Sequence, residues 1–201
     1  MLALGGNWTF YWQQLLEPAE ALASRSRAIN INGTGGWQAK QKADSYNAIG
    51  FGTYHLTVIL QDQADNLAVR MPQIESAYKL YIDSELVASG GTVSDDESVA
   101  RPGYNAQMVR IPQGKKTFTI TIQVSNYHSS WGGLWSSPIL GDAEAIHQLK
   151  RDKIALSMFI LGALLITSTF SLIQFFLRPS DKTPLSFCLF VSHSFYQRIY
   201  S

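Results

Sequence analysis

The chain has 201 residues, and its 16 Lys/Arg and 15 Asp/Glu leave a formal net charge of +1, with no basic face or run suited to reading a nucleic-acid backbone. That balance conceals an asymmetry: residues 1–149 hold 10 basic and 13 acidic side chains, whereas residues 150–201 hold 6 and 2. Cys188 is the single cysteine, which excludes an intrachain disulfide and a cysteine-held metal cluster.

The opening MLALGGNWTFYWQQLLEP lacks a charged region followed by an apolar core, so it does not read as a signal peptide. Residues 8–12 predict a short aromatic strand. Residues 15–24 predict a brief helix, with Pro18 in its first turn, where proline is tolerated. Residues 53–60 place Tyr54, Leu56, Val58 and Leu60 on one face, the alternation of a half-buried strand. Residues 67–71 repeat the pattern. Residues 77–89 read as a hairpin turning at Asp83-Ser84, a weaker turn pair than Asn-Gly. After a short strand at 107–111, residues 116–125 alternate most clearly: Phe118, Ile120, Ile122 and Val124 face inward, and Thr117, Thr119, Thr121 and Gln123 are expected to face solvent. Residues 138–140 close the series. Roughly eight short strands with little helix and no strand–helix alternation indicate a mainly β protein, a β-sandwich.

Residues 142–153 predict a connecting helix with Asp142 and Glu144 at its start and basic residues at its end, as the helix dipole favours. Residues 154–177 then run without a charge, and Gln174 is their only amide. Such a helix would extend roughly 36 Å against a hydrocarbon core of about 30 Å. Lys150, Arg151 and Lys153 precede it and Arg178 and Lys182 follow, so a transmembrane helix with marked ends is expected and the lipid bilayer is a partner. Three basic residues on one side and two on the other do not select an orientation. The apolar stretch within 185–201 is too short to span, and we expect a fragment cut inside a second membrane helix.

An ordered set of residues runs through these elements. Leu4, Trp8, Phe10, Tyr11 and Trp12 open the chain, Trp37 follows, and then comes Gly50-Phe51-Gly52-Thr53-Tyr54. Ala77 to Asp83 (AYKLYID), Val124 to His128 (VSNYH), Gly132-Gly133-Leu134 and Leu140-Gly141 complete it. In this order the chain resembles the extracytoplasmic domain and first membrane helix of bacterial seven-transmembrane receptors with diverse intracellular signalling modules. The resemblance implies a galactose-binding-like jelly-roll β-sandwich over residues 1–141, periplasmic and anchored in the inner membrane. In the family, seven helices and a cytoplasmic kinase or cyclase module follow. The jelly roll is also similar to the non-catalytic sugar-binding domain of family 2 glycoside hydrolases. Two loops depart from the family: Gly33 to Trp37 (GTGGW) stands where Pro-Gly-x-Trp is usual, and Asp83-Ser84 where Asn-Gly is usual.

Jelly rolls bind ligands through loops at one rim, here 32–52, 90–106 and 126–137. Their candidate ligand-binding residues are Tyr46, Arg101, Tyr104, Asn126, His128, Trp131 and Trp135. Aromatic faces pack on the apolar face of a pyranose, while Asn, Arg and His pair with its hydroxyls, so a sugar is the expected small-molecule ligand. Competing structural roles are clear for several. Trp8, Phe10, Trp12 and Trp37 suit the core or loop anchoring, Asn126 suits loop backbone, and Gly132-Gly133 suit a turn at positive φ. Trp131 and Trp135 would also suit a membrane interface. Asp95-Asp96-Glu97 raises a calcium site but reads better as a solvated acidic loop. No metal or cofactor is therefore assigned.

Motifs for catalysis are absent: there is no Gly-x-Ser-x-Gly elbow, His-Glu-x-x-His pair or phosphate-cradling Gly-x4-Gly-Lys. The expectation is a non-enzymatic sensory domain of a signal-transduction receptor. The rival is a membrane-tethered carbohydrate-binding or adhesion module without signalling. A homodimer is left open.

Overall fold

The computed structural model describes residues 1–24, 29–32, 36–37, 47–62, 65–103, 107–177 and 186. In chain order the first elements are β1 (Leu2–Ala3), β2 (Asn7–Trp12), α1 (Pro18–Ala23), β3 (Ile29–Asn32), β4 (Gly50–Ile59), β5 (Leu67–Arg70) and β6 (Ile74–Glu75). Then follow β7 (Ala77–Ile82), β8 (Glu85–Gly90), β9 (Met108–Arg110), β10 (Thr117–Asn126), β11 (Gly133–Leu134), β12 (Ile139–Asp142) and α2 (Ala143–Leu177).

Alternating sequence decides the centre of the fold. β4 and β10 pair antiparallel along their whole length, from Thr117 opposite Ile59 to Asn126 opposite Gly50. They form the middle of a six-stranded antiparallel sheet ordered β3-β2-β4-β10-β7-β8. A second antiparallel sheet, β1-β12-β5-β9, supplies the other layer, and β11 pairs with β6. The inward residues are those that alternation picks out. Trp8, Phe10, Tyr54, Leu80, Phe118, Ile120, Ile122 and Val124 from the large sheet form one cluster with Val69, Val109 and Leu140 from the smaller. Each fully buried side chain of this size contributes about 1.5–3 kcal/mol.

The opposite face of the large sheet departs from expectation. Thr121 and Gln123 were expected in solvent, yet both are buried, together with Thr53, His55, Tyr11 and Tyr81. The reason is the segment 13–24 that follows β2, which lies across that face. Thr53 Oγ1 donates to Gln14 O (2.7 Å) and accepts from Leu16 N (2.9 Å). Gln123 Nε2 donates to Leu16 O at 3.1 Å and to the Glu17 carboxylate at 3.2 Å. Tyr81 donates to that carboxylate at 3.2 Å, and Tyr11 to Ala21 O at 2.5 Å. Burial and the neighbouring Glu17 charge push the Tyr81 phenol up to about 12. The helix here is shorter than the expected 15–24: Glu17 caps it, its N–H bonded to the Glu20 carboxylate (3.0 Å), and Pro18 opens it.

The β7–β8 hairpin turns at Asp83 and Ser84, as expected. Asp83 adopts φ +55°, a left-handed conformation in which aspartate is enriched. Its carboxylate accepts the Thr119 N–H at 2.8 Å and pairs with the Lys115 ammonium. At the end of β12, the Asp142 carboxylate accepts the N–H groups of Glu144 (3.0 Å) and Ala145 (3.1 Å), which starts α2.

The chain divides into two compact units, Met1–Ile146 and His147–Ser201. The first therefore takes in the first turn of α2, whose Ala143 and Ile146 are buried against Ala68 and Met108. In the second unit, α2 continues as an apolar helix, and Ala143–Leu177 is long and apolar enough to cross a membrane. Thr167 and Thr169 return their hydroxyls to carbonyls three or four residues earlier (2.8–3.0 Å), so these polar groups are satisfied within the helix.

Candidate ligand-binding rim

Hydrogen bonds join parts of the three candidate loops at one end of the sandwich. Asn126, the last residue of β10, is the main junction. Its Nδ2 donates to Ala48 O (2.9 Å), Ser129 O (2.8 Å) and Trp131 O (3.3 Å), while Oδ1 accepts from Ser129 N (3.0 Å) and His128 N (3.4 Å). Tyr127 donates to Asp95 O at 2.7 Å, and Ser125 Oγ accepts from Ser94 N at 3.3 Å, which ties in the 90s loop. Trp37 N donates to Gly132 O at 2.9 Å.

Beneath these loops lies an aromatic brace. Trp37 is fully buried; its indole N–H donates to the Tyr54 hydroxyl at 2.7 Å, and Leu134 N donates to the same oxygen at 3.3 Å. Trp12 packs edge-on against Trp37, with ring centroids 4.9 Å apart. Burial pushes the Tyr54 phenol far above its ordinary range, against smaller opposing effects of the Leu134 and Trp37 hydrogen bonds, so it stays a neutral hydroxyl. Gly133 takes φ +93°, the positive φ expected within this glycine pair, but it opens β11 opposite Glu75 and is not part of a turn.

Above the brace, Trp131 is 57% exposed, and its ring meets that of Trp135 edge-on at 4.7 Å. Trp135 lies against Gly36, where a Cβ would come within 2.3 Å of the indole. Its Nε1 is buried and has no hydrogen-bond acceptor among the described residues. His128 is exposed in the same loop.

The candidate residues thus separate. His128, Trp131 and Trp135 share the 126–137 loop at the surface. Asn126 stands behind them, fully buried, and its amide is spent on loop backbone, so it shapes the rim. Arg101 is exposed at the neck of the 90s loop, where its guanidinium donates to Ala100 O at 2.8 Å and its backbone pairs with Thr92. Tyr46 and Tyr104 lie outside the described residues. Sequence reasoning missed Tyr54 as the brace, although an inward tyrosine in mid-strand must find a partner for its hydroxyl.

Around Asp95–Glu97 the polar groups organise the loop itself. Asp96 Oδ1 accepts both the N–H and the hydroxyl of Ser98 at 2.8 Å, and these bonds hold its carboxyl below the usual range. Burial, followed by the charges of Asp95, Asp96 and Glu97, raises the Tyr127 phenol. Among the described residues, no group of three or more His, Cys, Asp or Glu is placed to hold a metal ion.

No family model and no curated protein matches the sequence. Solved structures do match the fold. The β-glucuronidase of Faecalibacterium prausnitzii aligns with a TM-score of 0.53 at 13% identity, over 69% of this chain and 30% of that one. The Bacteroides uniformis β-glucuronidase aligns with a TM-score of 0.52 at 17% identity, over 69% of this chain and 17% of that one. The chain therefore corresponds to a minor part of each enzyme's length. The shared architecture is a galactose-binding-like β-sandwich.

Proposed function

We propose that this chain is the ligand-sensing part of a membrane receptor. In this reading the sandwich lies outside the inner membrane and binds a sugar at the rim, and α2 carries the response into the bilayer. The observation that carries the binding half is Trp131: a large aromatic side chain, 57% exposed, held on a turn that Asn126 and Tyr54 fix from beneath. An exposed ring on a hydrogen-bonded loop suits stacking on a pyranose, and His128, exposed in the same loop, suits pairing with hydroxyls. The likeness to a domain of two β-glucuronidases supports the same ligand class. The role assigned is binding, not catalysis. Support for the membrane half is the apolar helix Ala143–Leu177 together with the receptor-family resemblance.

The test uses the full chain in detergent micelles, titrated with a panel of mono- and disaccharides including glucuronides and galactosides. At least one sugar should bind, and Trp131→Ala should weaken that sugar at least about tenfold while moving the unfolding midpoint little, because the side chain is largely exposed. If no sugar binds, or if Trp131→Ala binds as tightly as the parent, the rim is not a sugar site. The fold likeness fits a carbohydrate-binding module in general, so the second reading is a membrane-tethered module without signalling. The reading frame beyond residue 201 separates the two: further spans with an output domain support the receptor, and a stop supports the tether.

A further inference from the structure

Resting on the sugar-binding reading of the rim, we propose that its ligand is an N-acylated amino sugar whose acyl carbonyl accepts the Trp135 indole N–H. Trp135 Nε1 is a buried donor with no acceptor among the described residues. Gly36 lies against this ring: a Cβ there would stand 2.3 Å from Trp135 Cζ2 and 2.8 Å from Cε2, the carbon bonded to Nε1. The Trp131 ring meets it edge-on, with centroids 4.7 Å apart. Buried donors are rarely left without an acceptor, because nothing replaces the lost bond to water. Here that loss is already complete in the free protein. An acceptor arriving with a ligand therefore gains a bond without stripping water from the indole.

The donor selects the group it meets. An indole N–H donates only, so its partner must accept. A sugar hydroxyl would bring an O–H that itself needs a partner. A carboxylate would have to leave water for a site walled by indole, at a heavy cost to its charge. An amide carbonyl brings neither: it is neutral, and the trans amide points its own N–H the opposite way. The acyl methyl is apolar, as the neighbouring rings are. Access comes from Trp131, whose side chain is 57% exposed. Its backbone is held, with the N–H bonded to Ser129 Oγ at 3.2 Å and the carbonyl to Asn126 Nδ2 at 3.3 Å. Among the described residues no hydrogen bond holds its indole. Turning that ring aside uncovers Trp135 Nε1 at the cost of one edge-on ring contact.

The test titrates the full chain, in micelles of a detergent without a sugar head group, with N-acetylglucosamine, N-acetylgalactosamine, glucose and galactose. The tryptophan indole N–H resonances are followed by NMR. The Trp135 resonance, identified by its loss in Trp135→Phe, should move downfield as an N-acetylated sugar saturates, the mark of a new hydrogen bond. At least one N-acetylated sugar should bind about tenfold tighter than its parent hexose, and Trp135→Phe should remove that preference while keeping the hexose affinity. If N-acetylated and parent sugars bind alike, or if the Trp135 resonance stays in place at saturation, the inference fails while the sugar-binding rim stands. If no sugar of any kind binds, the rim reading fails and this inference with it. The sugar preference of the parent chain decides the matter even if Trp135→Phe folds poorly.

Discussion

Tyr54 shows how one hydroxyl fixes a surface it never reaches. Its oxygen receives the Trp37 indole N–H and the Leu134 backbone N–H, and so joins two loops that are far apart in sequence. Tyr54→Phe keeps the ring and strands both donors in a buried place, which costs about 1–3 kcal/mol for each group left unpaired. Chemical denaturation followed by tryptophan emission should register a loss of that order. Asn126 does the corresponding work at the surface of the brace, where one amide organises the backbone from Ala48 to Trp131. Its part was half legible in the sequence: an Asn just after a strand suggests loop capping, but nothing in its neighbours says that Ala48, 78 residues away, completes the set.

Among the elements, strong alternation survived into structure and short pairings did not announce themselves. β4 and β10 are where the sequence pattern places them. β1, β6 and β11 are two residues long, below any window in which periodicity can be counted. The outward residues of β10 misled for another reason. Thr121 and Gln123 look solvent-facing because they are polar, but Gln123 meets backbone and a carboxylate of the segment covering it and Thr121 meets His55. The β7–β8 hairpin makes a separate, pH-dependent prediction. Burial alone would raise the Asp83 carboxyl, but the Lys115 and Thr119 hydrogen bonds outweigh it and lower it below its ordinary 3.8. A depressed carboxyl contributes stability above its unfolded value and loses it as pH falls through the folded one, so the window lies below about pH 4. Both partners are partly exposed, and screening keeps the effect small. In acid titrations of stability, Asp83→Asn should start lower at neutral pH and converge on the parent in strong acid.

For the whole molecule, the division into an acidic sandwich and a basic, apolar tail was legible from charge and hydropathy before any geometry. The first compact unit ends at Ile146, five residues beyond the 1–141 span read from the sequence, because the first turn of α2 buries Ala143 and Ile146 against Ala68. The three rim loops follow from the jelly-roll expectation, and hydrogen bonds join parts of them; residue pattern alone does not say which loops the sheet order brings together. If α2 is the mechanical link of a receptor, Leu149→Pro tests it, because proline removes a backbone donor and clashes with the preceding turn. Introduced into a full-length receptor that contains this chain, it should abolish the signalling response and leave the sugar affinity of the rim within about twofold. Undiminished signalling would remove the helix from the mechanism.

The 90s loop is closed at its base as firmly as any strand pair. Thr92 and Arg101 exchange both backbone hydrogen bonds (2.8 and 3.1 Å), and Gly91 and Gly103 lie so close that a Cβ on Gly103 would stand 2.0 Å from Gly91 N. What lies between is anchored at its ends as well, since Val93 and Ala100 are buried, Ser94 N donates to Ser125 Oγ and Asp95 O accepts from Tyr127. Evolution, or an engineer, can therefore rewrite the exposed side chains of residues 95–99, changing what one side of the rim offers without reopening the question of how the protein folds.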